Sequence, residues 1–193
     1  MSLKEDAYKY IKENIKESRF MHTLGVVSVA KKLANINGVD EESAEIAALC
    51  HDIAKNMKKE DMERLILENN LILTQEEKRS PQLWHSFLAP IVAEKELGIT
   101  DKEILNAMRW HTTGKENMSK LEKIIYIADM IEPSRVFPGV EDIREETLKD
   151  LDGGVLAGLN HTIKFLLDRG CLIDINTINA RNYLIINREL KED

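Results

Sequence analysis

The chain lacks the features that mark secreted, disulfide-bonded and membrane-spanning proteins. It has two cysteines, Cys50 and Cys171, and no Cys-x-x-Cys pair, so the sequence indicates neither a disulfide framework nor a zinc ribbon. Its apolar runs are too short to cross a bilayer, and residues 1–6 lack the basic flank and apolar run of a secretory signal. We therefore expect a cytoplasmic protein that does not span a membrane.

Basic residues are also in the minority. The chain has 27 Lys and Arg against 34 Asp and Glu, a formal net charge of -7, which disfavours the broad basic surface that nucleic-acid binding needs. A local basic pocket for a phosphorylated small molecule remains compatible with this balance. The expected partner is therefore a small molecule, and neither nucleic acid nor a membrane is expected.

Glycine and proline are scarce, at 9 and 4 of 193 residues, and apolar residues recur mainly at helical spacing. Capping residues are expected at Ser18, Asp40, Ser119 and either Asn176 or Thr177. No alternating strand pattern and no repeat is present, so we expect an all-α helical bundle in a single domain over residues 1–193. The predicted helices run from about 4 to 16, 18 to 37, 41 to 52, 58 to 69, 81 to 97, 100 to 112, 120 to 131, 154 to 168 and from 178 onward, and 171–175 is a candidate extended run.

Six side chains with potential metal-binding atoms are distributed along these helices. Asp129 is the most informative of them, because Leu121 and Ile125 lie eight and four residues before it and so share its helix face. A carboxylate on an apolar face must be protonated, paired or bound to a cation, since an isolated buried charge is costly. The six candidates are His22, His51, Asp52, His85, His111 and Asp129.

A single histidine on an apolar face is more often a hydrogen-bonded core residue than a ligand. Two such histidines, His51 and His111, occur together with Asp129 and with an aspartate directly after His51, and this combination favours a metal site. Imidazole and carboxylate ligands without thiolates suit iron, manganese, zinc, nickel or cobalt, and spacing does not choose among these metals. Six ligands exceed the need of one tetrahedral ion, so two ions are expected, with Asp52 suitable as the bridge.

The order His22, His51-Asp52, Asp129 resembles the H…HD…D pattern of the HD superfamily of metal-dependent phosphohydrolases, and His85 and His111 resemble the added ligands of its two-metal members. Further motifs resemble the YqeK-type bacterial HD hydrolases over nearly the whole chain. The resemblance implies an HD-domain helical bundle that hydrolyses diadenosine tetraphosphate symmetrically to two ADP, with a metal-activated water at a di-iron centre. These motifs are Arg19–Gly25, His51–Lys55, Trp110–Gly114, Ile125–Pro133, Phe137–Val140 and Thr177–Asn182.

The resemblance also assigns roles to individual residues. One iron would be held by His22, His51, Asp52 and Asp129, and the second by Asp52, His85 and His111. Manganese or another divalent metal is the alternative to iron, and a homodimer is compatible with the sequence. Asp52 and Lys55 are the expected catalytic residues. The expected contacts to the dinucleoside polyphosphate or to ADP come from Arg19, His22, Lys55, His85, Thr112, Arg135, Thr177 and Arg181.

Several alternatives stay open. Arg135 and Arg181 can equally be surface residues, and Thr177 can serve as a helix cap. Asp174-Ile175 stands where His-Pro is expected in many relatives, so the shape of that substrate loop is open. His161 matches no ligand motif and is interpreted as structural or exposed. The alternative functions are an HD phosphohydrolase for a nucleoside mono- or triphosphate, and a catalytically silent nucleotide-binding regulator.

Overall fold

The computed structural model describes residues 2–192, with side chains through residue 188. Over this range the chain forms α-helices, one short 3-10 helix at Pro81–Leu83 and no strand, which confirms the predicted all-α bundle. Residues 1 and 193 of the predicted single domain lie outside the described range. The helices are α1 (Leu3–Asn14), α2 (Glu17–Asn37), α3 (Glu41–Cys50), α4 (Lys59–Glu68), α5 (Gln75–Lys78), α6 (Trp84–Leu97), α7 (Lys102–Trp110), α8 (Lys120–Ile131), α9 (Val140–Lys149), α10 (Leu151–Asp168) and α11 (Ile175–Glu192).

Helix α8 forms the centre of the bundle, with α2, α3, α7 and α10 packed around it. Ile124, Ile125 and Ile127 are completely buried on this helix. Burying one such aliphatic side chain contributes about 1.5–3 kcal/mol relative to leaving it exposed. The apolar surface of α8 therefore fixes its orientation, and with it the direction in which Asp129 points. None of the described helices is long and apolar enough to cross a bilayer.

The N-terminal ends of the helices show which capping predictions hold. Asp40 accepts a hydrogen bond from the Ser43 backbone N–H at 2.7 Å, and Ser119 forms the expected capping box with Glu122. The prediction for Ser18 is wrong, because α2 already begins at Glu17 and its N-cap is Lys16, which makes no side-chain cap.

The start of α11 and the segment before it also differ from prediction. Neither Asn176 nor Thr177 caps α11, because the helix already starts at Ile175 and the carboxylate of Asp174 accepts the Asn176 N–H at 2.8 Å. The segment just before Asp174 forms no strand, so the candidate extended run at 171–175 is not a sheet element.

Two helices end earlier than the sequence suggested, and both ends carry candidate ligands. Helix α3 stops at Cys50 and α7 at Trp110, so His51, Asp52 and His111 lie in the turns that follow rather than inside the helices. Within this turn, Nε2 of His51 lies 3.7 Å from Oδ2 of Asp52, so the two neighbouring side chains can serve the same centre.

Helix α9 was not predicted, and α10 starts three residues before the predicted Gly154. Asp150 caps α10 by accepting from the backbone N–H of Gly153 at 3.0 Å. Gly154 permits close packing of α10 on α9, since a Cβ there would lie 2.5 Å from the Cα of Thr147. The two glycines look like helix breakers in the sequence, but here they serve a helix contact.

Candidate metal centre

The six candidate ligands come from five parts of the bundle and converge at one point. His22 is on α2, His51 and Asp52 follow α3, His85 is on α6, His111 follows α7 and Asp129 is on α8. All are buried except Asp129, which is partly buried. Because each helix is fixed by core packing, the positions of these side chains are fixed by the fold rather than by a loose loop.

Asp52 lies at the middle of the group, and only 3% of it is exposed. Its Oδ1 is 3.2 Å from Nε2 of His85 and 3.5 Å from Nε2 of His111. Its Oδ2 is 3.7 Å from Nε2 of His51 and accepts a hydrogen bond from Arg19 at 3.0 Å. The two carboxylate oxygens therefore face different sets of ligands, which is the geometry that a bridging carboxylate needs.

Two triads of ligand atoms are close enough to hold an ion each. His22, His51 and Asp129 form the first, and His51, Asp52 and His111 form the second, with the ligand atoms of each triad within 4.8 Å of one another. The triads share His51, whereas the resemblance expects Asp52 to be the shared ligand.

The chemistry of the donor atoms fits bound cations. Nδ1 of His51 donates to the carbonyl of Ala48 at 2.6 Å, and Nδ1 of His111 donates to the carbonyl of Met108 at 2.7 Å, so in each neutral ring Nε2 is the nitrogen that keeps a lone pair for a cation. Among the described residues, Nε2 of His51 and Oδ1 of Asp52 are buried without a hydrogen-bond partner. A buried polar atom in this state costs about 1–3 kcal/mol, and a cation would satisfy both atoms.

Burial sets the protonation of the inner histidines. It lowers the pKa of His51 to about 4 and the pKa of His85 to about 4. Both rings are therefore neutral at pH 7, and neutral imidazole is the form that binds a metal.

Asp129 remains ionised in spite of its surroundings. Burial opposes its charge, but a contact with Nε2 of His22 at 3.0 Å and the nearby charge of Arg135 keep its pKa below the ordinary carboxyl value. Arg135 donates through Nη2 to Oδ1 of Asp129 at 2.5 Å and through Nε to the Asp129 carbonyl at 2.8 Å. Arg135 is thus held at the centre and is not an ordinary surface residue.

Two further cations face the centre. Lys55 Nζ donates to Nε2 of His85 at 3.0 Å and lies 3.8 Å from Oδ1 of Asp52, and burial lowers its pKa. Arg19 reaches the other oxygen of the same carboxylate. Together with Arg135 these groups place three cationic side chains around the ligand cluster, an arrangement suited to a polyphosphate.

The remaining predicted substrate residues divide into two groups. Thr112 and Thr177 line a cavity of about 570 Å³ that reaches His111 and Asp129. Arg181 is not part of that lining, and its Nε instead donates to the side-chain oxygen of Asn160 at 2.6 Å. The structure therefore brings both threonines to the cavity beside the centre and leaves Arg181 outside its lining.

Sequence reasoning gave no role to two residues that the structure brings to the site. Glu132 is 1% exposed and accepts a hydrogen bond from Nδ1 of His22 at 3.0 Å. It stands within the motif Ile125–Pro133. His161 lines the cavity and its ring lies on that of Phe137, with centroids 4.3 Å apart. The spacing of His161 and Phe165, four residues apart on α10, was the signal that could have found this aromatic lining.

Comparison with known proteins gives one family match and several similar chains. Residues 19–134 match the HD domain family. The chain is 40% identical over 185 residues to the protein of Halalkalibacterium halodurans named bis(5'-nucleosyl)-tetraphosphatase, symmetrical, with 95% of this chain and 97% of that one covered. The protein of the same name in Bacillus subtilis is 36% identical, with coverage of 94% and 97%. A crystal structure from Clostridium acetobutylicum, described as a "predicted HD superfamily hydrolase involved in NAD metabolism", has a TM-score of 0.91 and 43% identity, covering 95% of this chain and 97% of that one.

Proposed function

This chain belongs to the HD domain family, and we propose that it hydrolyses diadenosine tetraphosphate symmetrically to two ADP. The observation that carries the proposal is the convergence of six His and Asp side chains, in which a buried imidazole nitrogen and a buried carboxylate oxygen have no hydrogen-bond partner among the described residues. The names of the two relatives that match nearly the full length of the chain support the choice of substrate.

We assign the metal ligands to two sets. His22, His51 and Asp129 would hold one ion, and His85 and His111 would hold the second. Asp52 would bridge the two. When bound, divalent metals would supply Lewis-acid activation of water and neutralise charge on the phosphate under attack. We propose iron for both positions, as the resemblance to the YqeK-type hydrolases implies. Manganese or another divalent metal is the alternative, since a ligand set without thiolates suits several of these metals.

The cationic side chains would act on the phosphates. Arg19 and Lys55 each lie beside Asp52, whose charge they offset. When a polyphosphate enters, both side chains can donate to its oxygens instead, because Asp52 would then be engaged as a ligand. Arg135 would remain on Asp129 and present its other N–H groups to the substrate. A well-placed donor of this kind stabilises a transition state by about 2.7–4 kcal/mol.

The reaction breaks the central phosphoanhydride bond of the substrate. The oxygen of one water bonds to the second phosphorus, the bridging oxygen leaves with the other ADP, and the protons of the water pass to the products and solvent. Thr112 and Thr177 would contact the nucleotide half that enters the cavity. Arg181 would act indirectly, because its hydrogen bond to Asn160 of α10 helps to hold α11 in position. A cytoplasmic location and a homodimer are further parts of the proposal.

The test is product analysis with metal-replaced protein. Protein stripped of metal is reloaded without oxygen with ferrous iron, manganese or zinc, incubated with diadenosine tetraphosphate and analysed by chromatography. ADP as the only product supports the proposal, whereas ATP with AMP would mean attack at another phosphorus. Tight binding of the dinucleotide without turnover for every metal would favour the regulator. Turnover of a nucleoside mono- or triphosphate alone would favour the other phosphohydrolase.

A further inference from the structure

We infer that the two halves of the substrate bind in chemically different cavities, and that only one of these cavities selects a nucleoside. The inference rests on the proposed function and names the part of the substrate that each side of the site recognises.

The first cavity, called the apolar cavity here, has a volume of about 570 Å³. Its lining includes His111 and Asp129, so it opens onto the candidate metal centre. Flat aromatic bases bind well between aromatic and aliphatic side chains, and a cavity of about 300–1,000 Å³ is the usual size for a small-molecule site. The apolar cavity therefore fits one nucleoside with its phosphates directed at the centre. Its lining also includes Phe137, His161, Phe165, Leu166 and Leu172.

The second cavity, called the polar cavity here, has a volume of about 460 Å³. Two guanidinium groups, those of Arg19 and Arg135, line it. The carboxylate of Glu132 is also in its wall, but this group already accepts hydrogen bonds from His22 and Ser134. One guanidinium group can donate two parallel hydrogen bonds to phosphate oxygens, so the polar cavity fits a polyphosphate better than a base.

The two cavities meet at the candidate metal centre. Arg135 and Phe137 line both of them. Among the candidate ligands, His111 and Asp129 face the apolar cavity and His22 faces the polar cavity. A four-phosphate chain that passes from one cavity to the other would thus have its central bridge at the metal centre. This arrangement explains symmetrical cleavage through an asymmetric site.

The lining of the polar cavity distinguishes this arrangement from two equal nucleoside sites. The described lining of the polar cavity has one aromatic ring besides the imidazole of the candidate ligand His22, that of Phe137, and its other apolar residue, Val136, is 91% exposed. The second nucleoside of the substrate would therefore extend toward solvent and add little binding free energy. The chain should accept a substrate that has a nucleoside at one end only.

Adenosine 5'-tetraphosphate provides the test. Water would attack the same central bridge, and the products would be ADP and pyrophosphate. We expect kcat/KM within about tenfold of that for diadenosine tetraphosphate, because the missing second nucleoside adds little binding free energy. A factor of ten corresponds to about 1.4 kcal/mol. A loss of more than about a hundredfold, or release of ATP and phosphate instead, would overturn the inference. If diadenosine tetraphosphate itself is not cleaved, the proposed function fails; if it is cleaved and adenosine 5'-tetraphosphate is not, only this inference fails.

Paired variants test which cavity holds the nucleoside. Phe165→Ala should raise KM by about tenfold for both substrates, because the apolar cavity binds the nucleoside that they share. Val136→Ala, in the polar cavity, should leave both KM values within about twofold. The control is Leu167→Ala on the same helix, a residue outside the cavity lining. A rise in KM for the dinucleotide alone in Val136→Ala would contradict the inference.

Discussion

Glu132 accepts a hydrogen bond from Nδ1 of His22 at 3.0 Å, while Nε2 of the same ring lies 3.0 Å from Oδ1 of Asp129. Glu132 is itself held in place by the backbone N–H of Ser134 at 2.7 Å and by the Ser134 hydroxyl. Arg144 fixes the loop by donating to the carbonyl of Glu132 at 2.9 Å. The carboxylate thus orients the imidazole so that Nε2 faces the centre, a role that outer carboxylates commonly have at metal sites.

Glu132→Gln should weaken metal binding without unfolding the protein. The amide keeps the shape and one acceptor but removes the charge that fixes the ring, and loss of such an outer partner costs about 10–100-fold in metal affinity. Metal affinity measured by competition with a chelator checks this. The control is Glu145→Gln, an exposed residue of α9 away from the site. Equal affinity in both variants and in the parent protein would show that Glu132 does not orient a ligand.

Gly25→Ala should displace the carboxylate of Glu132. A Cβ on Gly25 would lie 2.6 Å from Oε2 of Glu132, so the carboxylate would have to move away from His22. We expect lower metal affinity, by about tenfold, in the same competition assay. Gly38→Ala is the matched control: its φ of 67° makes the change unfavourable for stability, but no atom lies within 4 Å and the centre is not touched. Unchanged metal affinity in Gly25→Ala would show that the carboxylate position is not important.

Asp52→Ala should abolish turnover and lower the metal content, because it removes the carboxylate whose two oxygens face different ligands. Asp52→Asn, which keeps the volume, should behave in the same way and thus separates the loss of charge from a packing defect. Metal content by elemental analysis and turnover are measured on the same samples. Asp61→Asn, at an exposed ion pair with Arg64, serves as the control. Retained activity with full metal content in either Asp52 variant would remove Asp52 from the centre.

The two cysteines should differ sharply in reactivity. Burial raises the pKa of the Cys50 thiol to about 12, so it stays protonated and shielded at pH 8, whereas Cys171 is exposed. The thiolate is the reactive form. A thiol reagent should therefore modify one group per native chain and two after denaturation, and Cys171→Ser should remove the native reaction. Two fast-reacting thiols in the folded protein would contradict the buried position of Cys50, the residue next to His51.

Most of the helices could be predicted from the sequence, whereas some of their ends depend on contacts between distant segments. The apolar spacing before Asp129 and the capping box at Ser119 indicated α8 correctly, because both signals are local. The ends of α3 and α7 were placed too late, since the turns that carry His51 and His111 depend on packing against other helices. Thr177 was considered a cap because the sequence does not show where α11 starts. In the structure the helix starts at Ile175, and the carboxylate of Asp174 accepts the Asn176 N–H.

The candidate site also has a part that the sequence predicts and a part that depends on contacts between distant residues. The six candidate ligands could be listed from the sequence, because few residue types bind metals, and the structure brings their side chains together. The pairing of Glu132 with His22 spans 110 residues, and nothing in the local sequence reveals it. Likewise, the two cavities share Arg135 and Phe137 from the loop between α8 and α9, and α9 itself was not predicted.

The most direct test of the central claim is hydrolysis of diadenosine tetraphosphate by metal-loaded protein in water enriched in oxygen-18, with the products identified by mass spectrometry. The account predicts ADP alone, with one labelled oxygen for each pair of ADP molecules and that oxygen on the terminal phosphate. Label in AMP or ATP, or ADP that carries no label, would contradict attack by water at the central phosphoanhydride bond.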